Sequence, residues 1–353
     1  MNASRSHFSV ELERIRSLDE EVQFIERLVS NGGPRPEDYP ALTDWFQRVV
    51  NAAAIEKFTP ADRLRLSEAF GAAMSPETLL GLGYHRPHGY PGDFEVIDKI
   101  YVRYHSPNPS LVRWDAYFHS HPHSRAVRNR KTYFKDLLDF HYAHRRRPLR
   151  VLMLGSGPGR CLFEWLSDLP KANVSFSFIE LDPDATTYAT VLNQEFASKV
   201  SFEQKNVLRY RPSTQFDLIW AAGLFDYVSD KVFQAVLRRL LPAVADQGEL
   251  VIGNLAPCGR HPYMEFGGWA LHYRSARQLV SLAHGCGVPE DEIHIDAEPE
   301  VVNLFLHIKS LGASEGFMPI ADAGHGRMEQ ALVWRSALRA NRRRKGAEVS
   351  ALG

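Results

Sequence analysis

The feature that most constrains the fold is a short apolar run, Val151-Leu152-Met153-Leu154, followed at once by Gly155-Ser156-Gly157-Pro158-Gly159 and a helical stretch from 161 to 169. Consecutive apolar residues ending in glycine suit a strand buried on both faces. The glycines let the backbone turn tightly against a ligand, and a helix opening there aims its free N–H groups at the same place. Further strand-like runs stand at 174–179, 200–204, 216–221 and 249–253, with helical patterns between them. This alternation predicts an α/β fold with a doubly wound sheet and right-handed crossovers. Runs at 293–296 and 301–309 flank Glu298-Pro299-Glu300 and predict an antiparallel hairpin at one edge.

The chain has 353 residues, more than one core usually organises, so two lobes are expected. Apolar residues at threes and fours predict helices over 9–29, 39–58 and 64–73, the last preceded by the cap and N1 proline of Thr59-Pro60. Residues 81–93 are dense in Gly, Pro, His and Tyr and read as a structured loop. Helical patterns return at 94–104 and 125–142, and Arg145-Arg146-Arg147-Pro148 ends the lobe. The expected division is a helical lid or substrate lobe over 1–147, a ligand-binding sheet domain over 148–312, and a C-terminal helix and tail over 313–353.

Lysine plus arginine and aspartate plus glutamate each number 42, so no net field draws the chain to nucleic acid or an anionic membrane. The basic run 342–345 reads as a solvated helix end. Neither a signal peptide nor a transmembrane run is visible, and Cys161, Cys258 and Cys286 are too scattered for a disulfide framework or a structural zinc site, which leads to a cytoplasmic expectation. His119, His121 and His123 have no accompanying carboxylate or cysteine, and no metal is expected.

Two further marks turn the glycine turn into a nucleoside site. Glu180 closes the next strand, about 20 residues after Gly159, where an acidic side chain accepts both hydroxyl protons of a ribose. Asn206 follows the third strand, where an adenine amino group needs an acceptor while the backbone N–H of Val207 meets the ring. The alternative for Asn206 is a plain turn residue.

With Glu180-Leu181-Asp182-Pro183, Asn206-Val207, Phe216-Asp217-Leu218-Ile219 and the 237–252 stretch around Gly248, the sequence over about 149–310 resembles the class I methyltransferases that use S-adenosylmethionine. The resemblance implies a Rossmann-like domain with S-adenosylmethionine as cofactor. It implies a binding set of Gly155, Ser156, Gly157, Gly159, Glu180, Leu181, Asp182, Asn206, Val207 and Ala222. The family often has an acidic residue two positions before the first loop glycine, near the cofactor's ammonium; this chain has Met153. In the helical lobe, 88–93, Ile100-Tyr101 and 126–130 resemble a bacterial subgroup that includes proteins of 3-hydroxy fatty acid methyl ester biosynthesis and is similar to azetidine-2-carboxylate synthases.

The cofactor brings its own leaving group, so the protein mainly binds, orients and excludes water. Methyl transfer to a carboxylate, hydroxyl or amine of a small metabolite is the first expectation, with Arg130 or Arg128 pairing a carboxylate. Intramolecular cyclisation is the alternative: there the cofactor's amine must be neutral, and Asp226 accepts its proton. Tyr84, Tyr90, Tyr101, Asn129, Phe225 and Tyr227 are expected to wall the pocket, and Asp93 either reaches the methionine end or caps a helix. The expected catalytic set is Tyr90, Asp93, Tyr101, Asn129, Arg130, Asp226 and Tyr227. A non-catalytic binding protein is the third reading.

Overall fold

In a computed structural model, residues 17–145, 147–155, 157–259 and 261–310 are described. The tail expected over 313–353, the first half of the 9–29 helix and Ser156 lie outside them. The helical lobe begins with α1 (Leu18–Ser30), opened by a capping box in which Ser17 N–H donates to Glu20 at 2.7 Å and Glu20 N–H returns to Ser17 Oγ at 3.3 Å. There follow α2 (Tyr39–Ala54) and α3 (Pro60–Glu68), the latter capped by Thr59 as expected. Trp45 and Phe46 of α2 are fully buried and pack edge-on, with centroids 5.0 Å apart, against a cluster that includes Phe70, Tyr117 and Phe266. Such rings supply most of the burial that holds a helical lobe together.

Two local readings need correction. The segment 81–93 is a loop only in its second half, because α4 (Leu79–His85) runs into it. Thr78 caps that helix, and Leu79, Leu80 and Leu82 bury its inner face, which outweighs its two glycines. After α5 (Phe94–Tyr101) comes α6 (Val112–Ser120), where no helix was expected; its Trp114, Tyr117 and Phe118 are buried, but its short pattern is broken by polar residues.

The long helix α7 (Pro122–Ala143) lies on the sheet half. The described residues form a seven-stranded sheet from β1 (Leu149–Leu154), β2 (Val174–Glu180), β3 (Val200–Gln204), β4 (Phe216–Ala222), β5 (Val244–Leu255), β6 (Ile293–Ala297) and β7 (Asn303–Lys309). Their order is β3-β2-β1-β4-β5-β7-β6. The first five pair in parallel, with α8 (Arg160–Asp168), α9 (Pro183–Leu192) and α10 (Asp230–Leu240) in the crossovers, and β7 runs antiparallel between β5 and β6. This is the expected Rossmann-like sheet with its edge hairpin. Two further helices, α11 (Pro262–Phe266) and α12 (Ala276–His284), follow β5, and α11 packs against α2.

Polar contacts fasten α7 to the hairpin side. Asn129 donates to Glu298 at 2.9 Å, the Tyr133 hydroxyl lies 2.9 Å from Asp296, and buried Glu249 stands 2.9 Å from His141 Nε2 and 2.8 Å from His307 Nδ1. Burial works against the Glu249 charge, but His307 and His141 outweigh it and hold its carboxyl well below the usual range. Its contribution is therefore complete above pH ~4.3, fades progressively as pH falls below that value, and is lost once pH has passed through the lowered folded value. Glu249→Leu removes the carboxylate that His141 Nε2 and His307 Nδ1 share and is expected to destabilise the fold by about 3–5 kcal/mol. A urea midpoint unchanged from wild type would contradict this.

Candidate functional site

The turn after β1 needs its glycines. Gly155, Gly157 and Gly159 all have positive φ, at 58°, 55° and 67°. At Gly159 a Cβ would meet Asn193 Nδ2 at 3.0 Å and Ala189 at 3.3 Å, so any side chain would push α9 away. Glu180 ends β2 beside this turn. One oxygen accepts from Gly157 N–H at 3.1 Å; the other accepts from Leu181 N–H at 2.7 Å and Asp182 N–H at 3.2 Å. Asp182 caps α9 through Asp184 N–H at 2.8 Å and accepts from the Tyr90 hydroxyl at 2.7 Å. Tyr90, expected among the catalytic residues, is thus brought to the Glu180 end. Burial and the Asp182 carboxylate push its own ionisation far upward, so it remains a hydrogen-bond donor.

Asn206 does not line the cavity that these residues open onto; its side chain accepts from Leu208 N–H at 2.8 Å, the turn role left open above. Val207 is buried among the apolar residues on one face of the sheet and does not line the cavity either. Ala222 does, at the tip of β4, as do Leu181 and Asp182.

The cavity, about 600 Å³, extends from the glycine turn into the space between the sheet and the helical lobe. Three cavity-lining residues, His123, Val127 and Arg130, share one face of α7. Arg130 is 8% exposed; its guanidinium lies 3.5 Å from the Tyr101 hydroxyl and against Gly223. Among the described residues no carboxylate forms an ion pair with it.

Asp226 sits in the 3₁₀ turn Phe225–Tyr227 after β4, is 2% exposed, and accepts from Leu255 N–H at 2.7 Å. Burial lifts its carboxyl to about 6, against the pull of that hydrogen bond and of the Arg130 and Arg274 charges. Tyr227 closes the loop above: its hydroxyl donates to Pro91 carbonyl at 2.8 Å and accepts from Trp269 Nε1 at 2.9 Å. The approach is so close that a Cβ on Gly92 would fall 2.4 Å from Trp269 and 2.6 Å from the Tyr227 hydroxyl.

Tyr101, Arg130, Asp226 and Tyr227 therefore meet in the cavity, while other expected residues point elsewhere. Asn129 faces Glu298, and Arg128 donates to the His119 carbonyl at 3.2 Å. Asp93 caps α5 through Val96 N–H at 2.9 Å; its other carboxyl oxygen is buried with no hydrogen-bond partner among the described residues, and the residue does not line the cavity. Tyr84 packs on Phe266 and Phe225 lies in the core of the sheet. His119 is engaged with Tyr104 and Arg128, and no cluster able to hold a metal occurs among the described residues.

His123 is a wall residue that sequence reasoning missed. Its ring stands edge-on to Trp269 at 5.7 Å, its Nδ1 is buried with no hydrogen-bond partner among the described residues, and burial drops its pKa to about 3, so it is neutral. Its seven-residue spacing from Arg130 was a usable signal; nothing local marked Trp269.

The positive-φ glycine turn and the acid at the end of β2 have the chemistry of a nucleoside site. Residues 151–248 match a family described as a methyltransferase domain. No curated protein matches the chain. A possible exported protein from Bordetella parapertussis shares 17% identity over 88% of this chain and 99% of its own, with a TM-score of 0.57, a likeness of fold. The N-methyltransferase NodS from Bradyrhizobium japonicum, in complex with S-adenosyl-L-homocysteine, shares 14% over 54% of this chain and 89% of its own, with a TM-score of 0.39. Magnesium protoporphyrin IX methyltransferase from Synechocystis, also with bound S-adenosylhomocysteine, shares 12% over 53% and 85%, with a TM-score of 0.42. Over residues 151–248 the sheet half of this chain is thus similar to a methyltransferase domain, with a Rossmann-like sheet suited to S-adenosylmethionine as cofactor.

Proposed function

We propose that this protein is an enzyme that methylates the carboxylate of a small, largely apolar acid. The observation that carries the reading is Arg130, a buried guanidinium that forms no ion pair with a carboxylate among the described residues, facing the same cavity as the glycine turn. When bound, S-adenosylmethionine supplies a sulfonium-activated methyl group. Gly157 and Glu180 hold the nucleoside, with Tyr90 and Asp182 closing over it. Arg130 receives the acceptor carboxylate bidentately and holds one oxygen toward the methyl group. No proton moves, because the anion is already a nucleophile. Conversion to a neutral ester removes the charge that Arg130 holds and so favours product release.

Phe94, Ile97, Val127 and Leu271 keep water from the acceptor. The helical lobe over 1–147 acts as lid and substrate lobe on the domain at 148–312. Among the described residues no helix is long and apolar enough to cross a membrane, and three free cysteines suit a cytoplasmic setting.

Asp226 favours a second reading. A buried carboxylate that titrates near 6 can accept a proton from the cofactor's own amine, and Met153 leaves that end short of negative charge. Cyclisation to azetidine-2-carboxylate, with methylthioadenosine released, would follow.

Product analysis separates them. The purified protein is incubated with S-adenosylmethionine alone and with a panel of straight-chain and aromatic carboxylic acids, then examined by mass spectrometry. The proposal expects S-adenosylhomocysteine and a methyl ester only when acid is present. Methylthioadenosine formed without acceptor would overturn it in favour of cyclisation, and binding without turnover in either arm would overturn both. On the nucleoside side, Glu180→Gln is expected to weaken S-adenosylhomocysteine binding by roughly 10- to 100-fold, the scale of lost charge-assisted hydrogen bonds. Calorimetry giving the wild-type affinity would remove Glu180 from the site.

A further inference from the structure

The helical lobe is tied to the sheet half at a point that the methyl-transfer reading does not use. Asp98, on α5, is 6% exposed. Its carboxylate accepts from Arg160 Nε at 2.8 Å, from Arg160 Nη2 at 2.7 Å and from the Tyr188 hydroxyl at 2.6 Å. Arg160 opens α8 directly after Gly159, and Tyr188 lies on α9, the helix that begins next to Asp182. Arg160 also reaches the Tyr188 hydroxyl at 3.3 Å, which closes a three-residue junction, and Phe94 of α5 packs on the Tyr188 ring with centroids 5.4 Å apart.

The geometry has a consequence for the nucleoside turn. A two-point arginine–carboxylate pair fixes both separation and plane, so α5 sets where α8 starts. The start of α8 in turn sets the Gly157 and Gly159 backbone, and Tyr188 braces α9 against the same carboxylate. Asp182, held by Tyr90 at 2.7 Å, makes a second tie between the loop before α5 and the beginning of α9. Both helices that border the nucleoside pocket are therefore anchored to one short stretch of the helical lobe, 90–98.

We infer that Asp98 is a positioning residue for the nucleoside pocket: through Arg160 and Tyr188 it holds the glycine turn and α9 closed, so that a bound nucleoside departs only when the Asp98 contacts open. This rests on the reading that the glycine turn holds S-adenosylmethionine and its product. It extends that reading by making the lid lobe a determinant of how long the nucleoside stays.

The test is the dissociation rate of S-adenosylhomocysteine, followed in stopped flow by the fluorescence of the cavity tryptophans, for full-length wild type, Asp98→Asn, Arg160→Met, their double variant and Tyr188→Phe. Each of the first two single variants is expected to release the ligand at least ~10-fold faster, with the association rate changed little, since tuning of affinity falls mainly on dissociation. The double variant is expected to be no faster than the worse single by more than about twofold, because both remove one junction. Tyr188→Phe removes only a hydroxyl, keeps its packing, and is expected to show a smaller acceleration. A residue that merely stabilised the fold would lower the melting temperature and leave the dissociation rate of the folded protein alone.

Wild-type dissociation rates in the folded variants, or single effects that multiply in the double, would overturn the inference while leaving the cofactor reading intact. Wild-type protein that binds no S-adenosylhomocysteine would overturn both. If the two charge variants fail to fold, Tyr188→Phe decides: a wild-type rate overturns the inference and a faster one supports it.

Discussion

Arg130→Met is expected to lower kcat/KM for the acceptor acid by roughly 100- to 1,000-fold, equivalent to about 3–4 kcal/mol of transition-state stabilisation. S-adenosylhomocysteine affinity is expected to stay within about threefold of wild type, because the residues proposed to hold the nucleoside are in place without Arg130. Methionine approximates the length of the arginine stem and breaks no ion pair among the described residues, although it removes the Arg130 charge that eases the burial of Asp226. Removing a buried cation that forms no ion pair among the described residues does not incur the full loss seen on breaking a buried pair, and the weaker support for Asp226 is offset by the relief of burying a charge. The melting temperature should therefore change little while turnover falls. Steady-state kinetics paired with calorimetry checks this, and a parallel loss of cofactor affinity would instead place the methionine end of the cofactor on Arg130.

Asp226→Asn has the second large effect, and its sign is opposite for stability and for one of the two chemistries. The folded carboxyl titrates near 6 against about 3.9 in an unfolded chain, so the native state binds more protons between those values. Stability consequently falls as pH climbs from about 4 to about 6 and is level above that window. The difference of about two pH units corresponds to roughly 3 kcal/mol. Asparagine keeps an oxygen for Leu255 N–H and removes the buried charge, so the variant should gain up to about 3 kcal/mol at pH 7 and nothing at pH 4.

Carboxylate methylation should survive in this variant, because Asp226 moves no proton there and its loss leaves the Arg130 charge less neutralised. Cyclisation would lose its proton acceptor, and methylthioadenosine formation would drop with it. Chemical denaturation at the two pH values and product analysis at pH 7 read both halves. A variant less stable than wild type at pH 7 would contradict the account of Asp226 as a strained buried anion.

How much of this was legible in the sequence depended on how local each cause was. The run 151–154, the glycines after it and Glu180 at the next strand end are consecutive or periodic features, and they sit where expected. The edge hairpin was equally readable from two short runs about a turn. Side-chain direction across lobes was not. Asn129 and Arg130 are neighbours, yet one helical position is a rotation of about 100°, enough to send Asn129 to Glu298 and Arg130 into the cavity.

Tyr90 lies in an aromatic loop, which by itself points to the reacting end; its partner, Asp182, is 92 residues away and brought near only by packing of the lobe. Asn206 satisfied both a ligand role and a turn role in sequence, and its bond to Leu208 N–H fits the turn. The helix α6 was hidden for a related reason. Its nine residues bury Trp114 and Phe118 against neighbours contributed by distant segments, and no periodicity of such length reports them.

Methyl transfer here depends on a cavity that brings the cofactor's methyl group to a carboxylate held by Arg130. Its most direct measurement uses S-adenosylmethionine labelled in the methyl group, incubated with the wild-type protein and the acid panel, followed by mild alkali and counting of volatile methanol. The account expects label that enters the product only with acid present, leaves as methanol on alkaline treatment, and falls to background with Arg130→Met. Label that stays alkali-stable, or that remains in methylthioadenosine without any acceptor, would contradict it.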